Sequence, residues 1–370
     1  FTNSPADSRK PAPARTVAAM PAPAPNPRPT IAVSMGDPGG IGPEVLVKAL
    51  ADAELRQSAR FIVHGLSAPM HTAADDAGIP PFWWRVRAGS PLLETAGSHD
   101  VVLIDHDETA SRLGWSDGER KATKASGALS FRFVDDAISG ARGELPAHPK
   151  ADAVVTAPIS KHAWVLAGHS RWAGHTELLA ERFGATRSRM MFVAPKLRVI
   201  LVTAHVPLTR VVNDLTIGRV HDTIDLGTEA CRALGIERPR IAVAGLNPHA
   251  GEEGLLGDEE KRIIAPAIAH ALRNGITVEG PFPGDTVFNA AIKGRYDMVV
   301  AMYHDQGLIP VKLLAFDSAV NVTTGLPVWR TSPDHGTAYD IAGKNLADCG
   351  SMKESLRLAV RLASSEMISR

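Results

Sequence analysis

The chain has 370 residues, 44% of them apolar and 22% charged, enough for a sizeable interior and a water-facing surface. Lysine plus arginine equals aspartate plus glutamate at 40 each, so no net field draws the protein to nucleic acid or to an anionic membrane. Two widely separated cysteines, Cys231 and Cys349, argue against a disulfide framework and fit a reducing, cytoplasmic setting.

Residues 1–29 read as a disordered tail, because Pro and Ala dominate from Pro11 onward and large apolar side chains are scarce. No run reaches the roughly 20 apolar residues that span a bilayer. From Thr30 onward, short apolar runs alternate with amphipathic stretches, which predicts an α/β fold, and the length predicts two lobes. Strands are expected at Thr30–Ser34, Phe61–Val63, Val101–Ile104, Ala153–Thr156, Arg198–Val202, Arg240–Ala244 and Asp297–Met302. Helices are expected at Pro43–Ala51, Ala128–Ser139, Asp222–Leu234 and Glu259–Asn274.

Chemistry-bearing residues follow several of these strands. The glycine-rich stretch Gly36 to Val45 joins the first strand to a helix, where it suits either anion approach or a plain tight turn. It lacks the third glycine of the dinucleotide fingerprint, so a separate Rossmann domain is not expected. His205, His249 and His304 each stand just beyond a strand, in the crevice region where open α/β sheets collect ligands, and three imidazoles there suit a divalent metal. Residues 331–344, dense in turn formers, read by composition as a surface loop before the last helix, although Gly336 and Gly343 also free the backbone to wrap a ligand.

Six strings in chain order carry a resemblance over about residues 31–363: SMGDPGGIGPEV (34–45), VTAPISK (155–161), AGHTELLA (173–180), NPHAGE (247–252), YHDQG (303–307) and RTSPDHGTAYDIAGK (330–344). Together they resemble the 4-hydroxythreonine-4-phosphate dehydrogenase family of pyridoxal-phosphate biosynthesis, including relatives acting on D-threonate or D-erythronate 4-phosphate and on terephthalate cis-dihydrodiol. The resemblance implies a two-lobed α/β/α fold like that of isocitrate and isopropylmalate dehydrogenases, and a homodimer with shared active sites. The lobes are expected at 30–152 plus 306–370, with the cofactor loop, and at 153–305, with metal ligands and dimer contacts.

By motif, the resemblance implies that His205, His249 and His304 hold one divalent metal, zinc favoured on imidazole ligands, with magnesium, manganese or cobalt as alternatives. It implies substrate contacts at His175, Thr176, Lys312, Asn321 and Arg330, with Lys312 read as a strand-end lysine. It also implies an NAD site, with NADP as alternative, at His335, Gly336, Thr337, Ala338, Asp340 and Ile341. Asp285 and Asp305 match carboxylates that maintain the site. Lys161, Asp305 and a metal-held hydroxide are all open as general base.

The implied reaction oxidises the C3 hydroxyl of 4-phosphohydroxythreonine to a ketone β to the carboxylate, which then loses carbon dioxide to give 3-amino-2-oxopropyl phosphate. The Gly174-His175-Thr176 string favours a phosphorylated substrate. A non-catalytic protein binding a metabolite or metal is the alternative from another class. Phe82-Trp83-Trp84 and Asp317-Ser318-Ala319 have no assigned role.

Overall fold

Apolar runs that alternate with amphipathic stretches bury both faces of a sheet under helices, and the computed structural model has that architecture. It describes residues 28–93, 99–146 and 148–369, so residues 1–27 of the expected tail lie outside the described residues. The strands are β1 (Thr30–Ser34), β2 (Arg60–Gly65), β3 (Trp84–Arg87), β4 (Val101–Asp105), β5 (Ala153–Thr156), β6 (Arg189–Ala194), β7 (Leu197–Leu201), β8 (Ile241–Ala244), β9 (Val278–Phe282), β10 (Met298–Ala301), β11 (Val320–Thr324) and β12 (Trp329–Pro333). They form one sheet in the order β3-β4-β2-β1-β5-β12-β11-β6-β7-β10-β8-β9. Pairing is parallel except around β11, which runs antiparallel to both β12 and β6, and between β6 and β7.

The helices are α1 (Gly42–Leu50), α2 (Ala53–Ser58), α3 (Ser67–Ala77), α4 (Asp107–Arg112), α5 (Lys124–Arg142), α6 (Lys161–Leu166), α7 (His175–Phe183), α8 (Leu208–Asp214), α9 (Ile217–Ala233), α10 (Ala265–Arg273), α11 (Val287–Ile292), α12 (His304–Ala315) and α13 (Gly350–Ser369). None among the described residues is long and apolar enough to cross a membrane.

All seven expected strands form, within about two residues of their expected ends. The surface loop expected at 331–344 is corrected in part: Trp329–Pro333 is a strand in the middle of the sheet. Its side chains Arg330, Thr331 and Ser332 are buried yet polar, so the apolar signal of a central strand is missing. Lys312 is also corrected, since it lies within helix α12 rather than at a strand end. Phe82 and Trp83 pack against the first core, with the Arg56 guanidinium over the Phe82 ring.

One core joins β1, β2, β4 and β5 to α1, α3 and α13 through Val33, Leu46, Phe61, Met70, Leu103, Val155 and Leu356. Two others cover opposite faces of β7, β8 and β10: Ile200, Val243 and Val300 meet α9 and α10, while Val199, Ala242 and Val299 meet α11 and α12. We propose that these halves are the two lobes. Their crossings then fall between α7 and β6 and between β11 and β12, later in the chain than the boundaries read from the sequence.

The glycine-rich opening is packed against its own chain. A Cβ on Gly36, whose φ is +77°, would sit 2.2 Å from the Pro158 carbonyl oxygen, and one on Gly42 would sit 2.1 Å from that of Met35. Close internal packing therefore accounts for these glycines. The stretch also holds the loop after β12, because the Ile41 N–H donates to Thr337 O at 2.9 Å and the Tyr339 hydroxyl donates to Asp37 Oδ2 at 2.8 Å. Ser126 Oγ and the Gly39 N–H donate to the same carboxylate.

Burial raises the Asp37 pKa despite the opposing hydrogen bonds from Tyr339, Gly39 and Ser126. A raised carboxyl pKa gives stability that is present below the unfolded value and lost as pH rises through the folded value. The stability deficit of Asp37→Asn relative to the parent is therefore expected to shrink as pH rises above the ordinary carboxylate range. Urea unfolding at several pH values measures this, and a constant or growing deficit contradicts it.

Candidate active site

Strand ends of both halves face a cavity of about 330 Å³, lined by Thr156, Lys161, His175, Thr176, His205, Asn321, Arg330 and His335 among others. β12 delivers Arg330 to it, only 2% exposed. Its Nε and one terminal nitrogen donate to Thr156 Oγ1 at 3.1 and 2.6 Å, and the other donates to Thr323 Oγ1 at 3.2 Å. Among the described residues no carboxylate forms an ion pair with it. Burial pulls its pKa down to about 9, with Glu177 opposing, so it remains cationic at neutral pH. An unpaired buried cation is costly, and here it faces a space that an anion can fill.

Neighbouring groups point to the same need. His175 Nε2, Asn321 Oδ1 and His335 Nε2 are buried without a hydrogen-bond partner, and all three residues line this cavity. Burial, then Arg330 and Lys161, holds the His175 pKa well below its ordinary value, leaving a neutral imidazole at the start of α7. Thr176 lines the cavity beside it, while Lys312 pairs instead with Asp334 at its edge, Nζ to Oδ2 at 3.1 Å. His335 and Gly336 line the cavity, Thr337 is clamped against Ile41, and Ala338 and Ile341 pack on the first core. Asp340 is exposed at the far end of that loop.

The strand-end histidines are divided within one chain. The His205 and His304 rings lie 5.6 Å apart, whereas His249 lines a second cavity of about 540 Å³ with Asp285, Asp305 and Gln306. Among the described residues, the three do not gather into one ligand sphere. Each of two has a carboxylate on Nδ1, Asp305 on His304 and Glu252 on His249, both at 2.7 Å. That arrangement fits a divalent metal, because it fixes the tautomer that leaves Nε2 free to ligate. His205, His249 and Ala338 all have positive φ, at 49°, 52° and 41°, backbone conformations that side-chain-bearing residues hold only when their surroundings enforce them.

A family described as pyridoxal phosphate biosynthetic protein PdxA matches residues 92–359. The chain belongs to this family. It is 46% identical over 333 residues to 4-hydroxythreonine-4-phosphate dehydrogenase of Geobacter metallireducens, covering 90% of this chain and 95% of the relative. It is 43% identical over 335 residues to D-threonate 4-phosphate dehydrogenase of Cupriavidus necator, covering 90% and 97%. A crystal structure of 4-hydroxythreonine-4-phosphate dehydrogenase from Klebsiella pneumoniae superposes with a TM-score of 0.75 at 40% identity, covering 90% of this chain and 99% of that one. The chain is thus a dehydrogenase-type oxidoreductase.

The family's NPHAGE string forms a left-handed turn in this member. His249, Ala250, Gly251, Glu252 and Glu253 all have positive φ, between 44° and 83°. Left-handed backbone costs roughly 1–2 kcal/mol per residue that carries a side chain, so something must hold the turn. Glu260 does so from a nearly buried position on the adjoining helical turn. Its Oε1 accepts the Leu246 and Asn247 N–H groups at 2.8 Å each, and its Oε2 accepts Asn247 Nδ2 at 3.0 Å. Sequence reading missed Glu260 because an acidic residue at a helix start reads as solvated surface.

Glu260→Ala orphans two backbone donors and is expected to destabilise the fold by about 2–4 kcal/mol. Hydrogen exchange at the Leu246 and Asn247 amides should quicken along with the global loss. Parent-like exchange at both amides contradicts the assignment.

Proposed function

We propose that this dehydrogenase oxidises the C3 hydroxyl of 4-phosphohydroxythreonine with NAD, in the presence of one divalent metal, followed by decarboxylation to 3-amino-2-oxopropyl phosphate. The observation that carries the reading is the buried, unpaired Arg330, facing a cavity with the orphaned polar atoms of His175 and Asn321. A phosphate or carboxylate there accepts the guanidinium's hydrogen bonds and neutralises its charge. Thr156 and Thr323 fix the plane of the guanidinium, and Lys161 adds a second cation at the rim.

His205, His249 and His304 would hold the metal, with Asp305 and Glu252 orienting two of the imidazoles. A metal held there would supply Lewis-acid polarisation of the substrate oxygen, and a bound nicotinamide would supply the hydride acceptor. Lys161 and Asp305 remain the candidates to take the hydroxyl proton, and Asp285 borders the metal-side cavity. His335 to Ile341 would hold the dinucleotide. Asp340 is free to accept ribose hydroxyls, which favours NAD over NADP.

We infer that a second copy completes the site. The cavity holding His249 is bordered by exposed Ile309 and by Leu313, which is 81% exposed, while Leu255 and Phe316 are exposed nearby in sequence. Such apolar surface beside a divided ligand set suits burial against another protomer.

Turnover on a panel of 4-phosphohydroxythreonine, D-threonate 4-phosphate and D-erythronate 4-phosphate tests the substrate. Preference for the first by kcat/KM is expected, and preference for a sugar-acid phosphate overturns the assignment in favour of the D-threonate branch. In Arg330→Ala, the substrate KM is expected to rise by about 10- to 100-fold, the loss of one or two charge-assisted hydrogen bonds. An unchanged KM would show that Arg330 does not grip the anion.

A further inference from the structure

A second set of buried imidazoles lies near the other end of the sheet, away from the strand-end histidines of β7, β8 and β10. His64 belongs to β2 and is 1% exposed, with neither ring nitrogen hydrogen-bonded. His106 follows β4, is also buried, and has an unpartnered Nε2 that lies 3.6 Å from Asp136 Oδ2 on α5. His148 stacks on His64 with centroids 5.4 Å apart and rings 10° from parallel, and its Nε2 is unpartnered too. One donor atom from each of His64, His106 and Asp136 lies within 4.8 Å of the others. A cavity of about 340 Å³ opens beside them, lined by His64, His148, Asp136 and Arg132 with mainly apolar neighbours.

Buried polar atoms in native proteins nearly always have partners, so four orphaned imidazole nitrogens in one cluster need an explanation. An apolar packing role does not supply one, because a leucine or phenylalanine would fill the same space without the desolvation cost. We propose that His64, His106 and Asp136 form a second divalent-metal site of the zinc class, with His148 or a small ligand in the adjoining cavity as fourth donor.

The donor chemistry supports it. Two imidazoles and a carboxylate match the nitrogen and oxygen ligands of such ions, and the 3.6 Å edge is close to the about 3.4 Å that separates two ligands at tetrahedral zinc distances. Burial holds the His64, His106 and His148 pKa values below their ordinary range, so all three are neutral, the form that ligates. Arg132 is the cation facing the cluster, with its Nε 2.8 Å from both Asp136 oxygens. Its side chain is 57% exposed, so it can swing into water and release the carboxylate to an ion.

The test uses the full-length chain stripped of metal and titrated with cobalt(II), read by its visible ligand-field bands and by calorimetric stoichiometry. His64→Ala is expected to lose one equivalent relative to the parent. Asp136→Asn, a near-isosteric change chosen in case His64→Ala does not fold, is expected to weaken that equivalent by at least about 10-fold. Zinc-edge anomalous diffraction from zinc-soaked crystals should place a peak between His64 Nε2 or Nδ1, His106 Nε2 and Asp136. Unchanged stoichiometry and affinity in folded Asp136→Asn, or no peak at this position, overturns the proposal, whatever metal the strand-end histidines hold.

Discussion

A guanidinium buried without a carboxylate is the constraint around which the central sheet is arranged. Arg330 sits on β12, between β5 and β11, where an apolar side chain would ordinarily stand. Among the described residues, its guanidinium donates only to two threonine hydroxyls, on β5 and β11, which orient the charge without neutralising it. The fold therefore carries an electrostatic deficit where β12 meets β5 and β11, one that an anion in the cavity would relieve. β11, antiparallel to β12, brings Asn321 to this cavity and Thr323 to the guanidinium from the opposite chain direction.

Carboxylates hold the neighbouring loops, alongside the apolar packing of Ala338 and Ile341. Asp37 ties the glycine-rich turn to the loop after β12, and Glu260 keeps the left-handed turn around His249 in place. In both cases strained or tightly packed backbone is stabilised by one acid accepting several donors. Asp305 and Glu252 do the same for individual imidazoles. Within one chain the three strand-end histidines remain divided, and exposed leucine and isoleucine side chains border the cavity of His249.

Much of this was legible in the sequence because parallel strands buried on both faces read as continuous apolar runs; β1, β5 and β10 are such runs. Five strands escaped: β11 and β12, β3 and β9 at the two edges of the sheet, and β6. β11 and β12 carry the site's own polar side chains inward, so their composition imitates a loop. β3, with Trp84 and Arg87 exposed, lies at a sheet edge where the pattern is weak. The candidate residues His175, Asn321 and Arg330 were named through motif resemblance, and the structure brings them to one cavity. Lys312 shows the limit of that route, because a motif position fixes neither secondary structure nor partner, and here its ammonium is taken by Asp334. The buried histidines near β2 and β4 gave no sequence signal, since their proximity depends on strand order and on the placement of α5.

The most direct measurement is equilibrium binding of a hydroxy-acid substrate with and without its phosphate group, by calorimetry at fixed ionic strength and without dinucleotide, so that no turnover occurs. If the unpaired guanidinium and its neighbours form a phosphate site, removing the phosphate weakens binding by about 100-fold, the equivalent of roughly two charge-assisted hydrogen bonds. Equal affinities for the two forms would contradict the account, because the buried charge of Arg330 would then serve something other than the substrate's anion.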